Sequence, residues 1–182
     1  GNREWVTVIG AICANRSHLP PAIIYPAASE KVHDINPDTH DLRFSVSPSG
    51  WTNDDLGVAW LQQWLKHFNT YTKTCVVGAR RLLVLDGHKS HHSLEFQELC
   101  KENNIYTLCM PPHSSHLLQP LDIGCFSPLK RAYSCEVESL IRHHINHITK
   151  LKFLPAFKAA FTRLFTPDNI CSAFRGAGLV PL

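Results

Sequence analysis

Two short apolar runs, RLLVLD at 81–86 and IYTLCM at 105–110, do most to limit the folds open to this chain. Each has strand length, and the first is an unbroken apolar stretch ending in an acid, as expected of a central strand covered on both faces. Between them, Glu95 and Glu98 lie close to a start at Ser93, with Leu94, Leu99 and Cys100 on a common side, which predicts a helix to about 103. Strand, helix and strand joined by short links imply a right-handed crossover and parallel pairing. The polar loops GHKSHHS and PPHSSHLLQPLD then leave the C-terminal ends of their strands on one edge of the sheet, the edge where open α/β sheets bind ligands.

The segments on either side extend this α/β pattern. Trp5 to Ala14 is rich in Val, Ile and Thr and reads as a strand, AIIY at 22–25 reads as a second, and Asn15, Arg16 and Ser17 between them suit the turn of an antiparallel hairpin. Residues 26–50 carry Pro, Ser, Asp and His without a clear period and read as a long irregular connection. Thr52 with Asp55 resembles a capping box, and Trp60, Leu61, Trp64, Leu65 and Phe68 follow at helical spacing, predicting a helix over 54–68. After Pro120, which suits a first helical position, apolar residues from Phe126 to Ile148 predict a helix to about 150. Two more helices are expected near 155–165 and from Pro167, after a Thr166 cap, to about Arg175. The domain expectation is a core over 1–150 with a helical extension over 151–182.

Composition narrows the class. With 182 residues, 44% hydrophobic content, four Trp and nine Phe, the chain can bury a core without disulfides or a structural metal. Seven cysteines with no C-x-x-C pair argue against a disulfide framework and for a reducing compartment. No stretch approaches the roughly 20 apolar residues of a membrane helix, and the start lacks a signal-peptide layout. The expectation is a soluble intracellular protein with no membrane partner. A net charge of +3, with 12 His counted neutral, is compatible with a polyanionic partner without requiring one. The chain opens directly on a strand pattern and stops on the apolar run GLVPL, so a fragment of a longer protein is expected.

The chemistry centres on Asp86 and on Asp122, which lies one helix and one strand further on in HLLQPLDIGCF. Two carboxylates brought close together repel, and a divalent cation between them removes the conflict. Hard oxygen ligands favour Mg²⁺ or Mn²⁺. In a two-metal phosphodiester site the ions stand about 3.5–4 Å apart, one activating the attacking water and the other stabilising the leaving oxygen. Both acids also have purely structural readings: Asp86 before Gly87 can simply end a strand, and Asp122 after Pro120 suits a helix start.

The histidines near these acids form two H-x-x-H pairs, His88 with His91 and His113 with His116, and imidazoles with aspartates can hold Zn²⁺. Their loop setting imposes no common face and no cysteine lies in either loop, so the preferred expectation is that they shape the loops or orient the carboxylates. His88 and Lys89 are also candidates for phosphate contact, as are Lys130 and Arg131 for DNA, although most such cations simply form a solvated face. Arg142, His143, His144, Lys150 and Lys152 form a second basic stretch. Trp60 and Trp64 are read as core packing.

The blocks GNREWVTVIGAICA, LPPAIIYPA, SGWT, RLLVLDGHKSHHS and MPPHSSHLLQPLDIGCFSPLKRAY resemble the DDE superfamily endonuclease domain of pogo-type transposases, a group related to the jerky proteins and centromere-binding protein B. The resemblance runs over nearly the whole chain. It implies a ribonuclease H-like α/β fold, a mixed sheet flanked by helices, in which three acids hold two Mg²⁺ (or Mn²⁺) ions. Asp86 matches the second family acid and Asp122 the third. The first sits on a first strand that would precede this chain, and none of Glu4, Asp34, Asp38, Asp41, Asp54 or Asp55 stands in the matching context. The resemblance therefore implies a DNA-cutting and strand-transferring core, nuclear, acting on DNA as a homo-oligomer, with residues 1–182 alone expected to cut feebly or not at all. The alternatives are a domesticated, non-catalytic nuclear DNA-binding protein and a zinc hydrolase built on the histidine pairs.

Overall fold

The computed structural model describes residues 6–26, 43–72, 80–87, 91, 93–143 and 150–179. It is a mixed α/β structure of small sheets flanked by helices. The chain divides into two compact units: residues 1–10 with 19–113, and residues 11–18 with 114–182.

In the first unit, β1 (Thr7–Ile9) runs antiparallel to β2 (Ala22–Pro26), with Thr7 opposite Ile24 and Ile9 opposite Ala22. The intervening turn has Arg16 in the left-handed region at φ 72°, and the Asn15 side chain accepts a hydrogen bond from the Ser17 amide at 3.1 Å. The hairpin expectation thus holds. Residues 26–50 are not wholly irregular, however. They contain β3 (Arg43–Ser47), which pairs parallel with β2 and completes a three-stranded sheet of order β1-β2-β3. In β3 Val46 is exposed while Ser47 is buried, so apolar-in patterning gives no clear sign of this strand.

Helix α1 (Asp54–Thr72) is longer than expected, and its cap is Asn53 rather than Thr52. The Asn53 carboxamide oxygen accepts from the Leu56 amide at 2.8 Å, as an N-cap side chain should. Val58, Leu61, Trp64 and Leu65 form the buried side of α1. Trp60 stacks on Trp64 with ring centroids 6.2 Å apart.

Strand β4 (Arg81–Leu85), helix α2 (Leu94–Glu102) and strand β5 (Ile105–Cys109) follow the expected order, and β4 and β5 pair parallel with Leu85 opposite Cys109. The Ser93 hydroxyl accepts from the Phe96 amide at 3.3 Å and starts α2. Asn104, at φ 55°, supplies the left-handed residue that lets the chain leave α2 and enter β5. Phe96 and Cys100 are the buried residues of α2, and Ile105 is buried on β5.

The expectation that β4 is covered on both faces is not met. Among the described residues β4 pairs only with β5, in a sheet separate from β1-β2-β3. One face of this pair leaves Leu82, Tyr106 and Leu108 at 65%, 57% and 49% exposure. The strand buried on both faces is β2, where Ala22, Ile23, Ile24 and Tyr25 are all buried. An apolar run therefore identified a strand without specifying how much of it is covered.

The second unit is helical. A four-residue helix α3 (Ser115–Leu118) lies within the PPHSSHLLQPLD loop, and a π-helical turn (Leu121–Phe126) runs straight into α4 (Ser127–Arg142). Helix α4 ends at Arg142, short of the expected 150, and Ile145, Ile148 and His144 lie outside the described residues. Helix α5 (Lys150–Leu164) begins before the expected start near 155 and carries Pro155 inside it, and α6 (Pro167–Gly176) follows. The Thr166 hydroxyl caps α6 by accepting from the Asn169 amide at 3.3 Å, as expected.

Stacked aromatics dominate the core of this unit. Phe157, Phe161 and Phe165 are buried on consecutive turns, with Phe161 and Phe165 centroids 3.9 Å apart. His18 presents its ring edge to both Phe161 and Phe165.

Candidate active site

Asp86 follows the last residue of β4. The Met110 amide donates to the Leu85 carbonyl at 3.0 Å, so the parallel ladder extends one step beyond the named strands and holds the chain where Asp86 emerges. Because β4 and β5 are parallel, Asp86 and the segment Met110-Pro111-Pro112-His113 leave the sheet at the same edge, as expected. The Asp86 side chain is 44% exposed and so open to a ligand from solvent.

His91 turns back on this acid. Its Nε2 lies 3.3 Å from Asp86 Oδ1, and its side chain is only 14% exposed. The imidazole packs against the buried Phe96 ring at a centroid distance of 5.5 Å. Its backbone carbonyl accepts from Gln97 Nε2 at 2.8 Å, and Gln97 Oε1 accepts from the Thr107 hydroxyl of β5 at 3.0 Å. Sequence reading named His91 but missed Gln97 and Thr107. Nothing in their spacing signals the role, because the link joins a helix to a strand through a loop carbonyl.

Asp122 lies in the first turn of the π-helical segment, half-buried, and its amide donates to the Gln119 carbonyl at 3.0 Å. Tight packing holds that turn. A Cβ on Gly124 would come within 2.5 Å of Ala173 Cβ on α6, and one on Gly176 within 2.9 Å of Ile123 Cγ2. The glycines therefore allow α6 to approach the turn that carries Asp122.

The other sequence candidates separate. His113 is exposed in the left-handed region at φ 61°, and His116 is exposed on α3. His88, Lys89 and His92 lie outside the described residues. Lys130 and Arg131 are exposed on α4, where Arg131 Nη2 is 3.4 Å from the Ser127 hydroxyl. Of the second basic stretch, Arg142 reaches Glu138 at 3.9 Å on the surface and His143 Nδ1 lies 2.7 Å from the Ser139 carbonyl.

No group of three or more His, Cys, Asp or Glu residues able to hold a metal occurs among the described residues. The exposed Asp86 side chain carries hard carboxylate oxygens of the kind that bind divalent cations. Cys13, Cys100, Cys109, Cys125, Cys135 and Cys171 are free, and burial pushes the Cys100 and Cys125 thiols up to about 11, which disfavours the thiolate a metal needs.

An acid stands at the exposed end of a parallel strand, and a second acid follows in the sequence beyond the next strand. The family model of the DDE superfamily endonuclease matches residues 2–174, and the chain belongs to that family. The pogo affiliation is supported by the human "Pogo transposable element with ZNF domain", 26% identical over 120 residues, which are 65% of this chain and 8% of that protein. A Cochliobolus lunatus protein named "MFS-type transporter clz9" is 62% identical over all 182 residues, which make up 19% of its length. "Chaetoglobosin A biosynthesis cluster protein C" of Chaetomium globosum is 53% identical over 51 residues, 28% of this chain and 12% of that protein. The chain thus spans less than a fifth of each of these relatives. Despite the transporter name of the first, no helix among the described residues is long and apolar enough to cross a membrane. No solved structure matches the chain.

Proposed function

We propose that the chain forms part of a ribonuclease H-like catalytic core that cuts and joins DNA in a transposase, with Asp86 and Asp122 as two of the carboxylates that hold Mg²⁺ or Mn²⁺. The observation that carries this reading is the endonuclease family match across residues 2–174, within which Asp86 sits at the open end of a parallel strand. The cation, when bound, would neutralise charge at the phosphodiester and acidify the attacking water.

The chain's own residues do the rest. Asp86 and Asp122 supply hard oxygen donors. Lys130 and Arg131, exposed on α4, offer cations to the DNA backbone. In this reading the two sheets are parts of one, and the first acid of the family pattern belongs to a strand bordering β1. The protein would act in the nucleus, on DNA, as an oligomer.

The test is Mg²⁺-dependent nicking of DNA by the natural full-length protein and by its Asp86→Asn and Asp122→Asn variants. Cleavage by the natural protein and a loss of at least about 100-fold in either variant are expected, since each removes a charged donor. Cleavage that survives both substitutions would end the nuclease assignment. DNA binding without any cleavage by the natural protein would favour a domesticated, non-catalytic role.

A further inference from the structure

We propose that His91 is a positioning residue for Asp86, and that Phe96, Gln97 and Thr107 form the mount that holds it. The proposal rests on Asp86 being a cation ligand and identifies how that ligand is aimed.

A carboxylate at the end of a strand can rotate about two side-chain bonds, and each accessible rotamer dilutes the one that ligates. A donor at 3.3 Å from one oxygen selects among them. The donor is useful only if it is itself held, and two contacts hold His91, one of them braced by a third. The Phe96 ring, fully buried, backs the imidazole. Gln97 Nε2 donates to the His91 carbonyl at 2.8 Å, anchoring the loop backbone to α2. Gln97 Oε1 in turn accepts from Thr107 Oγ1 at 3.0 Å, which orients the carboxamide so that its NH₂ faces His91.

The chain of contacts therefore starts on β5, crosses α2 and ends on the acid of β4. Thr107 lies on β5 and Asp86 directly follows β4, its parallel partner, so His91 is referenced to the same sheet that presents the ligand. The imidazole acts here through the Nε2 contact with Asp86 Oδ1, and its role is geometric. An acid positioned this way should bind cation more tightly than one left to rotate. Removing such a supporting partner typically costs about 10–100-fold in metal affinity.

The experiment measures Mn²⁺ affinity of the natural full-length protein by electron paramagnetic resonance, alongside thermal melting and cleavage. His91→Ala should weaken Mn²⁺ binding by about 10-fold or more, and His91→Gln, whose amide can donate from a similar place, should restore most of it. Gln97→Met, which keeps the length but loses both hydrogen bonds, should give an intermediate loss and keeps the test alive if His91→Ala does not fold. Unchanged Mn²⁺ affinity in folded His91→Ala, or in Gln97→Met, while Asp86→Asn abolishes it, would overturn the positioning role and leave the nuclease reading intact. A loss that His91→Gln fails to rescue would also count against it. If Asp86→Asn itself leaves Mn²⁺ binding untouched, the nuclease reading fails and the positioning role falls with it.

Discussion

Replacing Gly124 by alanine tests how the turn bearing Asp122 is held. The added Cβ would stand 2.5 Å from Ala173 Cβ and 2.8 Å from Ala173 Cα. Carbon atoms prefer about 3.5–4.0 Å, so the new methyl is too close by roughly 1 Å, and one of the opposing atoms is backbone that cannot rotate away. Overpacking of this kind costs about 1–3 kcal/mol, and the backbone clash points to the upper end. Alanine regains about 1 kcal/mol of helix propensity over glycine, leaving a net loss near 2 kcal/mol. For a chain of this size that is a fall in Tm of roughly 4–8 °C, measurable by scanning calorimetry. Gly87→Ala is the control, because its Cβ would meet only the Met110 carbonyl oxygen at an ordinary 3.8 Å. It should change Tm by no more than about 2 °C. In a double-mutant cycle, Ala173→Gly should cost less when Gly124 is already alanine, since it removes the closer of the two clashes. A Gly124→Ala protein that melts with the natural one, or strictly additive effects in the cycle, would refute the packing argument.

Three further outcomes follow from the structure. The exposed Cys109 and Cys135 should react with a disulfide reagent at pH 8 in the folded protein, while the buried Cys100 and Cys125 should react only after unfolding. Those two thiols, raised from the ordinary 9.0 to about 11, hold their protons more tightly when folded. Their contribution is complete below pH 9 and declines as pH rises from about 9 to 11, so Tm should fall across that window and fall less in Cys100→Ala. Ser93→Ala and Thr166→Ala each remove a helix cap and should each destabilise by about 1 kcal/mol in denaturant titrations.

Local signals that depend on neighbours in the chain were legible in the sequence. The hairpin turn at Asn15–Ser17, the caps at Ser93 and Thr166 and the parallel pairing of β4 with β5 follow from turn chemistry, side-chain acceptors and crossover geometry. The motifs carrying Asp86 and Asp122 likewise pointed to the endonuclease family that the chain belongs to. Elements governed by distant packing were not legible. β3 has no clear apolar-in pattern because Val46 is exposed and Ser47 buried.

What the amino-acid order determined by itself is the list of acids, their place after apolar runs and the local structure that flanks them, because those depend on a few adjacent residues. Which strand is buried on both faces is a tertiary property, decided in favour of β2 and against β4 by what packs on each. The mount behind His91 is tertiary in the same sense: Gln97 and Thr107 acquire their roles only when α2 and β5 are folded against each other. Hydrogen bonds between elements have directions that no spacing along the chain encodes, and it took the folded unit to reveal them.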